Sequence, residues 1–72
     1  MQTYIVNSGA IKDFEVKAIS PRVAAMIAIN ENSNKALAEV IMVEEKGGHP
    51  DDDVLMLTTY VLEHMGFEVE GF

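Results

Sequence analysis

The chain has 72 residues, 49% of them hydrophobic and 24% charged, with a formal net charge of −7 and no cysteine. This length allows one domain with a small core, the apolar content argues against disorder, and the lack of cysteine excludes disulfides. The longest apolar run, residues 23–29, is too short to cross a membrane, and residues 1–9 lack the pattern of a signal peptide, so we expect a single cytoplasmic domain over residues 1–72.

The charges are unevenly distributed along the chain. Residues 1–38 carry three carboxylates and four basic side chains, whereas residues 39–72 carry nine carboxylates and Lys46 alone, which gives halves of +1 and −8. The second half would repel a phosphate backbone, and the first half has no basic stripe with interleaved aromatics, so we expect no direct nucleic-acid binding. An acidic face can attract a basic protein partner, or it can serve only for solubility.

Two strands and a helix are predicted in the first half. TYIVN and FEVKAI, residues 3–7 and 14–19, have strand composition, and Gly9 lies in the turn between them. Ser20 is a predicted N-cap with Pro21 at the first helical position, and the helix ends in NENSN, residues 30–34. Because this helix is apolar on nearly every side, we expect it to be covered by the second helix or by another subunit.

The second half is predicted to form a strand and a longer helix. LAEVIMV, residues 37–43, indicates a central strand buried on much of both faces. Residues 51–65 show helical spacing, with His49 or Asp51 as N-cap and Gly66 just after the helix. Residues 67–71, FEVEG, suit a short edge strand or a tail. The predicted fold class is α+β: a small two-layer domain with the order β-β-α-β-α, a C-terminal edge strand, and two helices on one face of a mixed sheet.

The stretch GGHPDDDV, residues 47–54, is the part of the chain that most suggests chemistry. Its HPDD resembles the A-H-P-D-D-E motif of zinc-dependent N-acetylglucosamine deacetylases, and the resemblance implies His49 and Asp52 as zinc ligands and Asp51 as base. It covers four residues, Asp53 replaces the family's glutamate, and the chain is too short for that family's domain. His64, the other nitrogen donor, is predicted at the far end of the same helix. We therefore interpret the stretch as a helix start and expect no metal, no cofactor and no catalytic residue.

A protein-binding surface is the predicted site. On a helical wheel of the second helix, Met56, Tyr60, His64 and Glu63 lie opposite the apolar stripe, so they are predicted to contact a partner. The function predicted is that of a small acidic, non-enzymatic module acting by protein–protein contact or self-association. The alternative is an acidic inhibitor that mimics nucleic acid and occupies a host nucleic-acid-binding protein. A strand, Ser-Pro and an alanine-rich short helix resemble an arrangement in many small phage and bacterial proteins.

Overall fold

The computed structural model describes residues 1–49 and 52–66. In chain order the elements are β1 (Gln2–Ser8), β2 (Ile11–Ala18), α1 (Pro21–Glu31), β3 (Val40–Glu45), β4 (Val54–Leu57) and α2 (Thr58–His64). The strands form one sheet in the order β2-β1-β3-β4, and each neighbouring pair is antiparallel. The α+β class is confirmed, but the predicted mixed sheet is wrong: every neighbouring pair of described strands is antiparallel, because the connection through α1 places β3 beside β1 and not beside β2. Neither α1 nor α2 is long and apolar enough to cross a membrane.

Local signals position the first hairpin and α1 as predicted. Gly9 has φ +55°, in the left-handed region that favours glycine, and the chain turns there between β1 and β2. The Ser20 Oγ accepts a hydrogen bond from the Val23 N–H at 3.3 Å, and Pro21 is the first helical residue. The predicted N-cap is therefore confirmed.

The start of the predicted second helix is a strand, so the fold contains one more strand than expected. Residues 54–57 pair with β3, with Leu55 opposite Met42 and Leu57 opposite Val40. Four apolar residues in a row are compatible with a strand or with the start of a helix. The strand forms because pairing with β3 satisfies the backbone N–H and C=O groups of both strands. The helix begins at Thr58 with Leu57 as N-cap, so the predicted N-cap at His49 or Asp51 was wrong. Gly66, with φ +87°, follows the C-cap Met65 as predicted. The predicted edge strand at residues 67–71 lies outside the described residues.

The core lies between one face of the sheet and the two helices. Three alanines of α1 are completely buried, and their small side chains allow the helix backbone to approach the strands. On the strands and α2, the buried apolar residues of this cluster are Tyr4, Val6, Ala18, Ile41, Val43 and Val61. Both helices therefore cover the same sheet face, here called the inner face, and leave the outer face without a layer of the described residues.

The fold consists of two ββα units in succession. The first contains β1, β2 and α1, and the second contains β3, β4 and α2. The units are joined by pairing of their first strands, β1 and β3, in the middle of the sheet. The second strand of each unit, β2 or β4, forms an edge of the sheet. Equivalent positions in the two hairpins can therefore be compared directly.

Candidate functional site

Four aliphatic side chains form an exposed block on the outer face of the second hairpin. They are exposed by 44% at Val40, 36% at Met42, 67% at Leu55 and 61% at Leu57. Met42 opposes Leu55 and Val40 opposes Leu57 across the antiparallel pair, so the four adjoin one another. We call Val40, Met42, Leu55 and Leu57 the apolar patch.

The equivalent region of the first hairpin has the composition of a solvated face. Its outward positions include Thr3 and Ile5, which oppose Lys17 and Glu15 on β2. The Lys46 Nζ lies 2.7 Å from the Glu15 Oε1, and both side chains are about half exposed. An exposed ion pair of this kind adds little to stability. It shows that the part of the outer face formed by the first hairpin is charged and exposed to solvent.

A shallow groove of about 310 Å³ adjoins the apolar patch. Besides patch residues, it is lined by Asn7, Ile11, Lys12 and Ala38 among others. Ile11 is 2% exposed but does not belong to the main core cluster. It lines the groove together with patch residues, so it is a buried apolar residue at the base of this groove. Among the described residues that line the groove, Lys12 alone carries a charge.

Hydrogen bonds from both units fix the start of β3 beneath the patch. The Ser8 Oγ donates to the Val40 carbonyl at 2.9 Å and accepts from the Ala38 N–H at 3.2 Å. The Thr58 Oγ1 donates to the Ala38 carbonyl at 2.6 Å, and the Thr58 N–H donates to the Glu39 carbonyl at 2.9 Å. Ser8 and Thr58 are both buried, and their hydrogen bonds to the start of β3 are partly buried. The patch therefore sits on a preorganised backbone.

The predicted binding residues occupy two different elements. Met56 lies on β4 opposite the buried Ile41 and packs against the core from the inner face, so its predicted place on an outward helical ridge was wrong. Tyr60 is 44% exposed on α2, and its ring centroid lies 4.3 Å from that of His64. Glu63 is also exposed on α2. An open groove near the start of α1 contains both Met56 and Tyr60, and the Arg22 Nη1 donates weakly to the Tyr60 hydroxyl at 3.4 Å.

The GGHPDDDV stretch belongs to the connection between β3 and β4, with its last residue beginning β4. His49 is exposed there, and its carbonyl accepts from the Asp52 N–H at 3.0 Å, whereas His64 lies on α2. The two histidines are therefore on separate elements, which corrects their predicted place on one helix. Within residues 1–49 and 52–66, no three His, Asp or Glu side chains gather into a group that could hold a metal ion.

Sequence reasoning missed Leu55 and Leu57 because it placed both in a helix. A usable signal was present: two short apolar runs, VIMV and VLML, flank a segment rich in glycine and aspartate, which is the pattern of a hairpin. The runs also lack the alternation of apolar and polar residues that a strand with one solvated face usually has. Apolar residues therefore occupy the outward positions of these two strands, where polar residues are usual.

Comparisons with protein-family models, with curated proteins and with solved structures gave no match to this chain.

Proposed function

We propose that the protein is a small acidic, non-enzymatic binding module that contacts another protein chain through the apolar patch. The observation that carries the proposal is the block of four exposed aliphatic side chains on the outer face of β3 and β4. Patches of adjoining apolar residues on a small domain mark interaction sites more often than scattered single residues do. The earlier candidate surface on α2, at Tyr60, His64 and Glu63, adjoins a different groove and is secondary to the patch.

A comparison of the two ββα units supports a role for the patch beyond folding. The first hairpin places Thr3, Glu15 and Lys17 at outward positions, so this sheet tolerates polar residues there. The second hairpin has aliphatic residues at all four outward positions of the paired segment. Since exposed aliphatics on a sheet invite aggregation, their presence on one hairpin alone favours a surface that is covered in the working state.

The size of the patch suits the centre of an interface. Four side chains with these exposures present on the order of 400 Å² of surface, which corresponds to about 10 kcal/mol on burial. Association costs about 4–15 kcal/mol in lost freedom, so the patch would need further contacts around its rim. The groove with Asn7 and Lys12 supplies polar groups for such contacts.

The alternative function, mimicry of nucleic acid, would use rows of carboxylates on one exposed face. On the outer face, Glu15 is paired with Lys46, and Lys17 lies on the same strand as Glu15. This mixture of signs neutralises much of the local field, whereas the apolar patch has no role in a mimic. The observations therefore favour the binding module.

Site-specific photo-cross-linking tests the proposal. A photoreactive amino acid in place of Leu55 should yield adducts with protein in the cell that produces the chain. The same amino acid in place of Ile19 is the matched control, since Ile19 is 77% exposed but lies outside the patch. Adducts from position 55 and not from position 19 would support the proposal, and equal or absent yields from both positions would contradict it.

A further inference from the structure

We infer that the occupant of the apolar patch is a second copy of this chain, bound as a symmetric dimer with the two second hairpins stacked face to face. The inference rests on the proposed function, because it names the partner of the same surface. Stacked sheets pack about 10 Å apart through interdigitating side chains, and the apolar patch offers such side chains on two adjacent strands. In a two-fold dimer the patch contacts itself, so each aliphatic side chain is buried by an equivalent one.

The composition of β3 points to a sheet as the covering layer. Over residues 40–43 its inward residues Ile41 and Val43 are buried against the helices and its outward residues Val40 and Met42 are also apolar, before the strand ends in two glutamates. An interior strand that is apolar on both faces is typical of a sheet covered on both sides. The described residues supply the helical layer on the inner face, and a second copy would supply the other layer.

The charges around the patch favour another copy over a basic protein. The chain carries −7, so its overall field attracts basic partners, but the described lining of the groove contains Lys12 and no carboxylate. A basic partner would therefore meet a cation at the rim and no countercharge in the groove. Elsewhere on this face Lys17 and Lys46 offset Glu15 and Glu44, so the outer face lacks the negative excess of the whole chain and two acidic copies repel each other least through it.

Sedimentation equilibrium of the purified chain over a wide concentration range tests the inference. We expect a monomer–dimer equilibrium for the unchanged chain and for Ile19→Ser, and a dissociation constant raised about hundredfold or more for Leu55→Ser, because symmetry places each substitution in the interface twice. Leu57→Ser provides a second patch variant, and circular dichroism checks that each variant is folded. A monomer at every concentration, or equal dimerisation of patch and control variants, would overturn the inference.

The lack of cysteine allows a direct geometric test. A chain with Leu55→Cys should form a disulfide-linked dimer on mild oxidation, because Leu55 is the most exposed of the four patch residues and a two-fold axis through the patch brings its two copies together. Ile19→Cys at the same concentration is the control and should remain largely monomeric. Equal cross-linking of the two variants would contradict a face-to-face dimer.

The two proposals fail in different ways. If the purified chain is monomeric but photo-cross-linking at position 55 yields adducts with a different protein, the dimer is wrong and the binding module stands. If the adduct has twice the mass of the chain and sedimentation shows a dimer, both are supported. If position 55 gives no more adduct than position 19 and the chain is monomeric, both are wrong.

Discussion

Ser20 fixes the beginning of α1 through one side-chain hydrogen bond. Its Oγ accepts from the Val23 N–H, one of the helix N–H groups that has no partner within the helix. Replacing Ser20 with Ala should lower the free energy of unfolding by about 1 kcal/mol, measured by urea denaturation. Ser20→Thr keeps an acceptor oxygen and should retain most of the stability. Equal stability of the Ala variant and the unchanged chain would show that the 3.3 Å bond contributes nothing.

The residues predicted best are those whose conformation depends on near neighbours. Ser20 and Pro21 define a helix start by their own chemistry, and Gly9 and Gly66 supply positive φ at a turn and after a helix. Met56 was misplaced because its environment depends on Ile41, fifteen residues earlier in the chain. Helical spacing within residues 51–65 does not reveal that pairing, which only the comparison of the two apolar runs indicates.

The boundary between β4 and α2 separates two side chains that a continuous helix would have placed together. Met56 packs against the core from the strand, whereas Tyr60 is exposed on the helix. Met56→Ala should therefore lower the free energy of unfolding by about 2 kcal/mol, the lower end for truncation of a core methionine, because Met56 is only partly buried. Tyr60→Ala should cost less than half as much in the same denaturant titration. Equal losses would indicate that residues 54–64 form one helix after all.

The element that periodicity alone could not assign is β4. Four apolar residues fit a strand or the start of a helix, and periodicity cannot decide between them. The deciding factor is β3, because its backbone groups on the side away from β1 would have no strand to pair with if residues 54–57 were helical. Because of the same ambiguity, Leu55 and Leu57 of the apolar patch were not predicted to lie on a strand. The expectation that residues 37–43 form a strand buried on much of both faces was wrong, because β3 begins at Val40 and its outward residues Val40 and Met42 are exposed where the proposed partner binds.

The turn of the first hairpin contacts the connection between α1 and β3 at Gly9. The Ala10 N–H donates to the Ala36 carbonyl at 2.8 Å, and a Cβ on Gly9 would lie 2.5 Å from the same oxygen. Gly9→Ala should therefore destabilise by more than the approximately 1 kcal/mol cost of a left-handed backbone alone. Gly47→Ala is the matched control, with φ +82° and no atom within 4 Å of the added Cβ. Thermal melts giving equal losses for the two variants would mean that the connection before β3 moves aside without cost.

The junction between β1 and β3 also has a consequence for the time course of folding. The pairing of Tyr4 with Glu45 joins residues 41 positions apart, whereas the first hairpin closes through a tight turn. Local hairpins form within about 1–10 μs, and distant pairings wait for the intervening chain. On a ribosome that adds about 5–20 residues per second, the segment from Ile19 to Glu45 takes roughly 1–5 s to synthesise after the first hairpin is complete. For that interval the side of β1 that later pairs with β3 has no partner strand. A neighbouring nascent chain can then pair with β1 in place of β3.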